Sequence, residues 1–527
     1  MIKETIELHD IGYFSNLISD YLTSDSKVAS FYHLNPYQLK DDSSILDKSF
    51  EPRKRQLLVD SLREDYKNLA LHPSVERNLS YLTSENTFTI TTAHQPVIFL
   101  GPLYIVYKIL QTIELAKVYS TKYPHHHFIP VFYIGSEDHD LEEIGSLQIG
   151  NKSYSWNTLQ QGACGQMHCE GLLELWNEIK KENKPSPHFD ALIQKAYQAH
   201  HTMSDAYRIL LNDLFGHYGL LVFDANKPLL KKEFTTVLKE EVLKQTSFEV
   251  VSKTTEALSK HYHVQAQPRT INLFYKTAGH RERIEAKGNT FQIHGTEFVF
   301  NKDELITTIE NNPERFSPNV ILRPLLQETV LPNIAWIGGG GELAYWLELK
   351  TLFEQHKIKM PLLYLRNSFL ILNTDNMLAM NQLELKAKQL FQTTREILKA
   401  KWMQSEDYIE LKKSTETVLK PFQEIQQQAR SISSNLVESM KAQEAKTKRI
   451  TKRIEEKFIA HLIQKDFTYQ RQLEELKSKL FPNGQLQERY CSFVDMDVLY
   501  GTKFIEGILQ NLQPEDSRFT VLTLEQA

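Results

Sequence analysis

Phe128-Ile129-Pro130-Val131-Phe132-Tyr133-Ile134-Gly135 is a nearly continuous apolar run ending on glycine. A strand with one wet face alternates polar and apolar residues. A run without alternation is buried on both faces, as in a parallel sheet covered by helices. Phe88-Thr89-Ile90-Thr91-Thr92 precedes it as another candidate strand, and between the two lies a candidate helix, Leu103 to Tyr119. That helix carries Leu103, Val106, Ile109, Leu110, Ile113 and Ala116 at helical spacing. Leu220-Leu221-Val222-Phe223-Asp224 and Ile334-Ala335-Trp336-Ile337 repeat the strand theme. Strands alternating with helices predict an α/β fold with a parallel sheet. Ligands of such sheets sit beyond the carboxyl ends of the strands, so the residues after each run matter most.

Three bulk properties narrow the class. With 527 residues the chain has room for several domains, and 41% hydrophobic and 24% charged residues match a soluble globular protein. A net charge of −5 gives no sign of a nucleic-acid partner or a polybasic membrane anchor. Met1 to Glu7 places acidic residues where a signal peptide has an apolar core, and no stretch is apolar for the length of a membrane span. The three cysteines, Cys164, Cys169 and Cys491, are too few for a disulfide framework, so a reducing cytoplasm is expected.

The chain changes character after residue 375. No glycine occurs between Gly341 and Gly484, and residues 381–480 hold 20 Lys and Arg against 14 Asp and Glu. Such sequence predicts long helices. Leu436, Met440, Ile450, Ile454, Phe458 and Leu462, then Tyr469, Leu473, Leu476 and Leu480, follow a coiled-coil-like spacing, with Gln443 and Thr447 at two seam positions. Pro421 predicts a break between helices, and Pro482-Asn483-Gly484 a stop. The expected organisation is a core over 1–375, with an insert near 145–215 and a second near 276–330. A helical segment over 376–482 and a segment over 483–527 that returns to the core complete it.

Several clusters could carry chemistry. His94-Gln95, with Gly101, stands at a strand-to-helix turn, where a histidine can contact a phosphate or simply hold the turn. Gly135-Ser136-Glu137-Asp138-His139-Asp140 follows a strand directly. There His139 is a candidate general base or substrate binder, and Asp138 or Asp140 its orienting partner, a cation ligand, or a helix cap. Gly338-Gly339-Gly340-Gly341 before Glu342 costs conformational entropy, which points to a backbone that approaches a ligand. It is neither a Walker P-loop nor a dinucleotide fingerprint, since Lys-Ser/Thr is missing and residue 343 is Leu. Arg281, Arg283, Arg323 and Arg366 are candidate anion contacts. Cys164-Gly165-Gln166-Met167-His168-Cys169 lacks paired zinc-ligand spacing, and no metal site is expected there or at His125-His126-His127.

Thr92-Ala93-His94-Gln95-Pro96 with Gly101-Pro102-Leu103-Tyr104 and Tyr107-Lys108 resembles the cysteine ligases of bacillithiol biosynthesis, the BshC family. So do Pro130–Ile134 with Glu137-Asp138-His139-Asp140 and Glu142-Glu143-Ile144, and Arg323-Pro324-Leu325-Leu326-Gln327-Glu328. Gly338–Glu342 with Ala344-Tyr345-Trp346 and Glu348-Leu349-Lys350, and Leu486-Gln487-Glu488-Arg489, complete the match, which spans almost the whole chain. The chain departs from the family at Ala93-His94-Gln95, where many members have Gly-Gln-Gln, and in its fuller glycine run.

The resemblance implies a Rossmann-like parallel-sheet core with connecting inserts, and a C-terminal α-helical coiled coil that forms a homodimer. It implies an amide bond between L-cysteine and glucosaminyl-malate. A carboxylate needs activation to form an amide, so ATP with Mg2+ is expected. Gln95, Gly101, Gly338 to Gly341 and Glu342 would then line the nucleotide pocket, with His94 beside them. His139, Asp138 or Asp140 would position substrates or take the amine proton. Tyr104, Tyr345, Trp346, Arg281 and Arg283 would bind substrate. Two rival readings are a nucleotide-binding coiled-coil scaffold without turnover and an ATP-dependent ligase for another amine.

Overall fold

The computed structural model describes residues 3–39, 43–277 and 279–525. Met1 and Ile2 of the acidic N-terminal stretch lie outside the described residues. Five strands build the central sheet: β1 (Thr87–His94), β2 (His127–Ile134), β3 (Leu221–Phe223), β4 (Asn333–Gly338) and β5 (Leu362–Leu365). Their order is β5-β4-β1-β2-β3, and each neighbouring pair is parallel. Thr91 pairs with both Val131 and Trp336, and Val131 with Leu221, which brings the carboxyl ends to a common level. From β1 the chain runs outward through β2 to β3, then crosses to β4 and β5 on the other side. This reversal makes a crevice between the ends of β1 and β4.

Helix α1 (Leu103–Lys122) packs on β1 and β2; α2 (Met203–Phe215) precedes β3; α3 (Gly340–Leu347) follows β4. The apolar runs are buried as expected of a covered sheet: Ile90, Phe132, Trp336 and Ile337 are fully enclosed. Trp336 stacks on Trp346 at 4.6 Å, and each large apolar side chain so enclosed contributes about 1.5–3 kcal/mol.

Two insertions decorate the core. The first, between β2 and α2, holds a hairpin (Ser146–Ile149 with Lys152–Ser155) and the helices Leu172–Glu182 and Pro187–Ala196. The second, between β3 and β4, contains a five-stranded antiparallel sheet. It runs in the order Val299–Asn301, Thr290–Ile293, His280–Lys287, Leu273–Thr277, Phe316–Pro318. Lys3–Ile6 pairs antiparallel with Phe519–Thr523, which joins an N-terminal and a C-terminal segment in one sheet. The chain divides into two compact units, residues 1–371 with 486–527, and residues 372–485.

The second unit is helical: α4 (Thr394–Trp402), α5 (Glu406–Leu419), α6 (Pro421–Arg430), α7 (Ser434–Lys465) and α8 (Phe467–Leu480). Pro421 occupies the first turn of α6, where its missing N–H costs nothing. Asp466 separates α7 from α8, which accounts for the long spacing between Leu462 and Tyr469. The apolar seam is divided between two surroundings. Leu473, Leu476 and Leu480 are buried, but Ile450 and Ile454 are 49% and 47% exposed. The face of α7 turned inward, against α4, α5 and α6, carries Val437, Thr451 and Ile459. On it Glu455 accepts hydrogen bonds from Tyr408 (3.3 Å) and Thr415 (2.7 Å). Among the described residues no helix is long and apolar enough to cross a membrane.

Candidate functional site

A pocket of about 370 Å³ opens at the carboxyl ends of β1, β2 and β4. Five cationic side chains line it: Lys108, Arg281, Arg323, Arg366 and Arg489. Four carboxylates, Glu137, Asp138, Glu143 and Glu342, face them.

One wall is built by α1 and α3. Lys108 sits on the buried side of α1, where it pairs with Glu342 and donates to Ala93 O at 3.2 Å. Burial lowers the Lys108 pKa, and Glu342 opposes that shift. Burial alone would raise the Glu342 carboxyl, but Lys108 and the Gly339 N–H hold it below its ordinary value. Glu342 is the third residue of α3 and accepts the Gly339 N–H at 2.8 Å, so one residue caps the helix and anchors Lys108. The first intrahelical bond runs from Leu343 N–H to Gly339 O. The preceding N–H groups of α3 are therefore available to an anion, and Gly339 and Gly341 line the pocket there. Arg366 follows β5; Glu488 holds it at 2.6 Å, and it donates to Ser368 Oγ at 3.1 Å. Arg323 donates to Tyr345 Oη and Gln327 Oε1, both at 3.1 Å.

His94 completes this wall. Its Nδ1 lies 3.1 Å from Gln95 O and its Nε2 3.1 Å from Tyr104 Oη. A carbonyl only accepts, so Nδ1 carries the proton and Nε2 accepts from the tyrosine. Burial, followed by the nearby Lys108, lowers the His94 pKa to about 4, so the ring is neutral at pH 7.

The opposite wall is the loop after β2. Glu137 lies between Lys231 (2.7 Å) and Lys276 (2.6 Å). Burial opposes its charge, but the two ammonium groups hold its pKa at about 2. One carboxylate cannot neutralise two ammoniums, so burial still lowers Lys231 to about 8. Asp138 accepts from His139 N–H (2.8 Å) and Gln95 Nε2 (3.1 Å), and Arg281 lies 3.5 Å away. Against the cost of burial, these contacts hold it well below the carboxylate range. Arg281 comes from the antiparallel sheet, lies over the Phe274 ring at 3.8 Å and donates to His139 Nδ1 at 2.7 Å. Behind the loop, Asp224 accepts from Ser136 (2.7 Å) and Ser204 (3.1 Å), which ties β2, α2 and β3 together.

The predicted site residues divide accordingly. His94, Gln95, Tyr104, Asp138, Arg281, Gly339, Gly341, Glu342 and Tyr345 line the pocket. Seven others stand outside its lining. His139 is directed at Arg281, whose N–H its Nδ1 lone pair accepts. Asp140 caps the short helix Leu141–Ile144 through Glu143 N–H at 3.1 Å. Gly101 has φ +60°, and a Cβ there would fall 2.8 Å from Val97. Its carbonyl accepts Phe493 N–H, so its turn holds the returning C-terminal segment. Gly338 is packed under the Trp336 ring, and Gly340 faces Ile18 and Phe14. Trp346 lies in the core, and Arg283 lies about 6–7 Å farther along its strand than Arg281. Cys164 and Gly165 donate backbone N–H groups to Asp138 O (2.6 Å) and Ser136 O (2.8 Å), so the cysteine-rich segment braces the loop.

Sequence reasoning did not reach the partners Lys231, Lys276 and Glu488, or the pocket position of Glu143. One signal was available for Lys108, the only charged residue in the otherwise apolar first two turns of its helix, Leu103 to Leu110.

Residues 1–367 match "Bacillithiol biosynthesis BshC, N-terminal Rossmann-like domain" and residues 369–524 match "Bacillithiol biosynthesis BshC, C-terminal coiled-coil domain". The chain belongs to the BshC family. Among its relatives is a protein of Flavobacterium johnsoniae named "Putative cysteine ligase BshC", 37% identical over 99% of this chain and 100% of the relative. Proteins of the same name from Flavobacterium psychrophilum and Christiangramia forsetii are 36% and 35% identical, each over 99% of both chains. The fold and the family therefore agree: a Rossmann-like sheet followed by a coiled-coil domain.

Proposed function

We propose that this chain joins L-cysteine to glucosaminyl-malate, forming the amide of bacillithiol, with ATP and magnesium activating the cysteine carboxylate. The observation that carries this reading is the convergence of five cationic side chains beside the N-terminus of α3, at the reversal point of a parallel sheet. Amide formation from a carboxylate requires a better leaving group than hydroxide. ATP supplies one by adenylyl transfer with release of pyrophosphate. The residues present fit a polyphosphate: Gly339 and Gly341 leave the backbone of α3 uncovered, and Arg323, Arg366 and Arg489 add charge and donors. Among the described residues no three His, Cys, Asp or Glu side chains form a ligand cage, so magnesium would be held through phosphate oxygens. His94 and Tyr104 offer hydrogen bonds without adding charge. Arg281 suits a malate carboxylate.

We also infer a homodimer through the coiled coil, supported by the exposed Ile450 and Ile454 on α7, and a reducing cytoplasmic setting, supported by three free thiols. The test is product formation from L-cysteine and glucosaminyl-malate with and without Mg-ATP, read by mass spectrometry. Product only with ATP, with AMP released, is the expected result. A folded protein that binds nucleotide without turnover would favour a scaffold, and product with another amine would reassign the substrate. Sedimentation should give a dimer that I450E/I454E reduces to a monomer.

A further inference from the structure

Four carboxylates line the pocket, and three are already engaged by cations of the protein. Glu137 has Lys231 and Lys276, Glu342 has Lys108, and Asp138 has Arg281. Glu143 differs. Its Oε2 accepts one hydrogen bond, from Gln95 Nε2 at 2.9 Å, and no Lys, Arg or His among the described residues pairs with it. The other contact of that amide nitrogen is Asp138 Oδ2 at 3.1 Å, so Gln95 bridges the two carboxylates. Glu143 is exposed at the pocket mouth, and the Asp140 cap fixes its backbone.

The other candidate bases are occupied. His94 Nε2 accepts from Tyr104, and His139 Nδ1 accepts from Arg281. We propose that Glu143 receives the ammonium group of the amine substrate and takes its proton, with Gln95 as its positioning residue. This rests on the ligase reading above. The ammonium gives one proton to a Glu143 oxygen. The freed lone pair forms the C–N bond to the activated acyl carbon. The bond from that carbon to the leaving oxygen breaks, its electron pair staying on oxygen, and the second N–H proton passes to that oxygen.

The groups around Glu143 suit the role. Asp138 after β2, Asp140 on its own turn, Glu342 from α3 and Tyr104 from α1 face it, with the Gln95 amide. Although the residue as a whole is exposed, partial desolvation of its carboxyl against the pocket wall, and then the like charges, raise it above the ordinary value, and the Gln95 bond opposes them. A carboxylate moved towards neutrality is a better proton acceptor at pH 7.

The test uses the full-length protein. E143Q should lower kcat/KM for glucosaminyl-malate by about 10²–10⁴-fold near neutral pH. That deficit should shrink as pH rises and the amine loses its proton unaided, a trend that a structural role would not produce. Calorimetry on glucosaminyl-malate and its analogue with hydroxyl in place of the amine gives a readout independent of turnover. The wild type should prefer the amine and E143Q should lose that preference. E142Q, a neighbouring exposed change, should leave both readouts intact, and E143A serves if E143Q does not fold. Unchanged kinetics and unchanged amine preference in a folded variant would overturn the role of Glu143. No product from the wild type, with the amine preference still dependent on Glu143, would instead overturn the ligase reading alone.

Discussion

The two walls of the pocket use charge in opposite ways. On the α1–α3 wall each carboxylate has its own cation, Lys108 for Glu342 and Arg366 for Glu488, and among the described residues Arg323 is held only by the neutral Tyr345 and Gln327. On the β2 wall the matching is uneven. Glu137 has two ammonium partners, Asp138 has an arginine, and Glu143 has only an amide. The two pairs hold the α1–α3 wall in shape whether or not substrate is present, and the surplus charge of Arg323 is left for an anion. The β2 wall leaves the opposite charge, on Glu143, for a cationic ligand, and the proton transfer proposed above belongs there.

The largest effect is expected where the mismatch is most deeply buried. Glu137→Gln removes the counter-charge of Lys231 and Lys276 and should cost about 3–5 kcal/mol in urea unfolding. A loss below about 1 kcal/mol would erase the contrast between the walls. The same group gives stability a pH dependence. Its folded pKa of about 2 lies below its ordinary 4.5, so the unfolded chain binds the proton more tightly. The stabilisation is complete above about pH 4.5 and is lost as pH falls towards 2, up to about 3 kcal/mol, and E137Q should abolish that acid limb.

Next in size, Lys108→Met leaves Glu342 with the Gly339 N–H alone and should cost about 2–4 kcal/mol. The double change K108M/E342Q should recover much of this, with a coupling of about 1–3 kcal/mol. Additive losses would mean that this wall is not a closed pair. The smallest effect is at His94. His94→Gln should change stability by about 1 kcal/mol or less. In the wild type, NMR of the imidazole should place its titration near pH 4. Titration near 6.5 would mean that burial and Lys108 do not govern the ring.

Much of the frame was legible because it depends on neighbours in sequence. An unbroken apolar run such as Phe128–Ile134 has one stable setting, inside a covered parallel sheet, and β2 occupies it. The four glycines mark the start of α3 for a similarly local reason. Errors arose where direction mattered more than position. Tyr345 reaches the pocket, but Trp346, about 100° around the same helix, points into the core against Trp336. Gly339 and Gly341 line the pocket while Gly338 and Gly340 do not, a phase that a string of identical residues cannot display. The coiled-coil seam failed to show which of its positions would meet α5 and α6.

The sequence by itself determined the alternation of strands and helices, the helical nature of residues 376–482 and the clustering of charge after β2, because hydrophobic period and glycine placement act over a few residues. Only the tertiary structure decided which charges meet. Arg281 reaches Asp138 across 143 positions and Glu488 reaches Arg366 across 122. A buried ion is stabilised by whatever opposite charge the fold brings within a few ångströms, and separation along the chain carries no information about that distance.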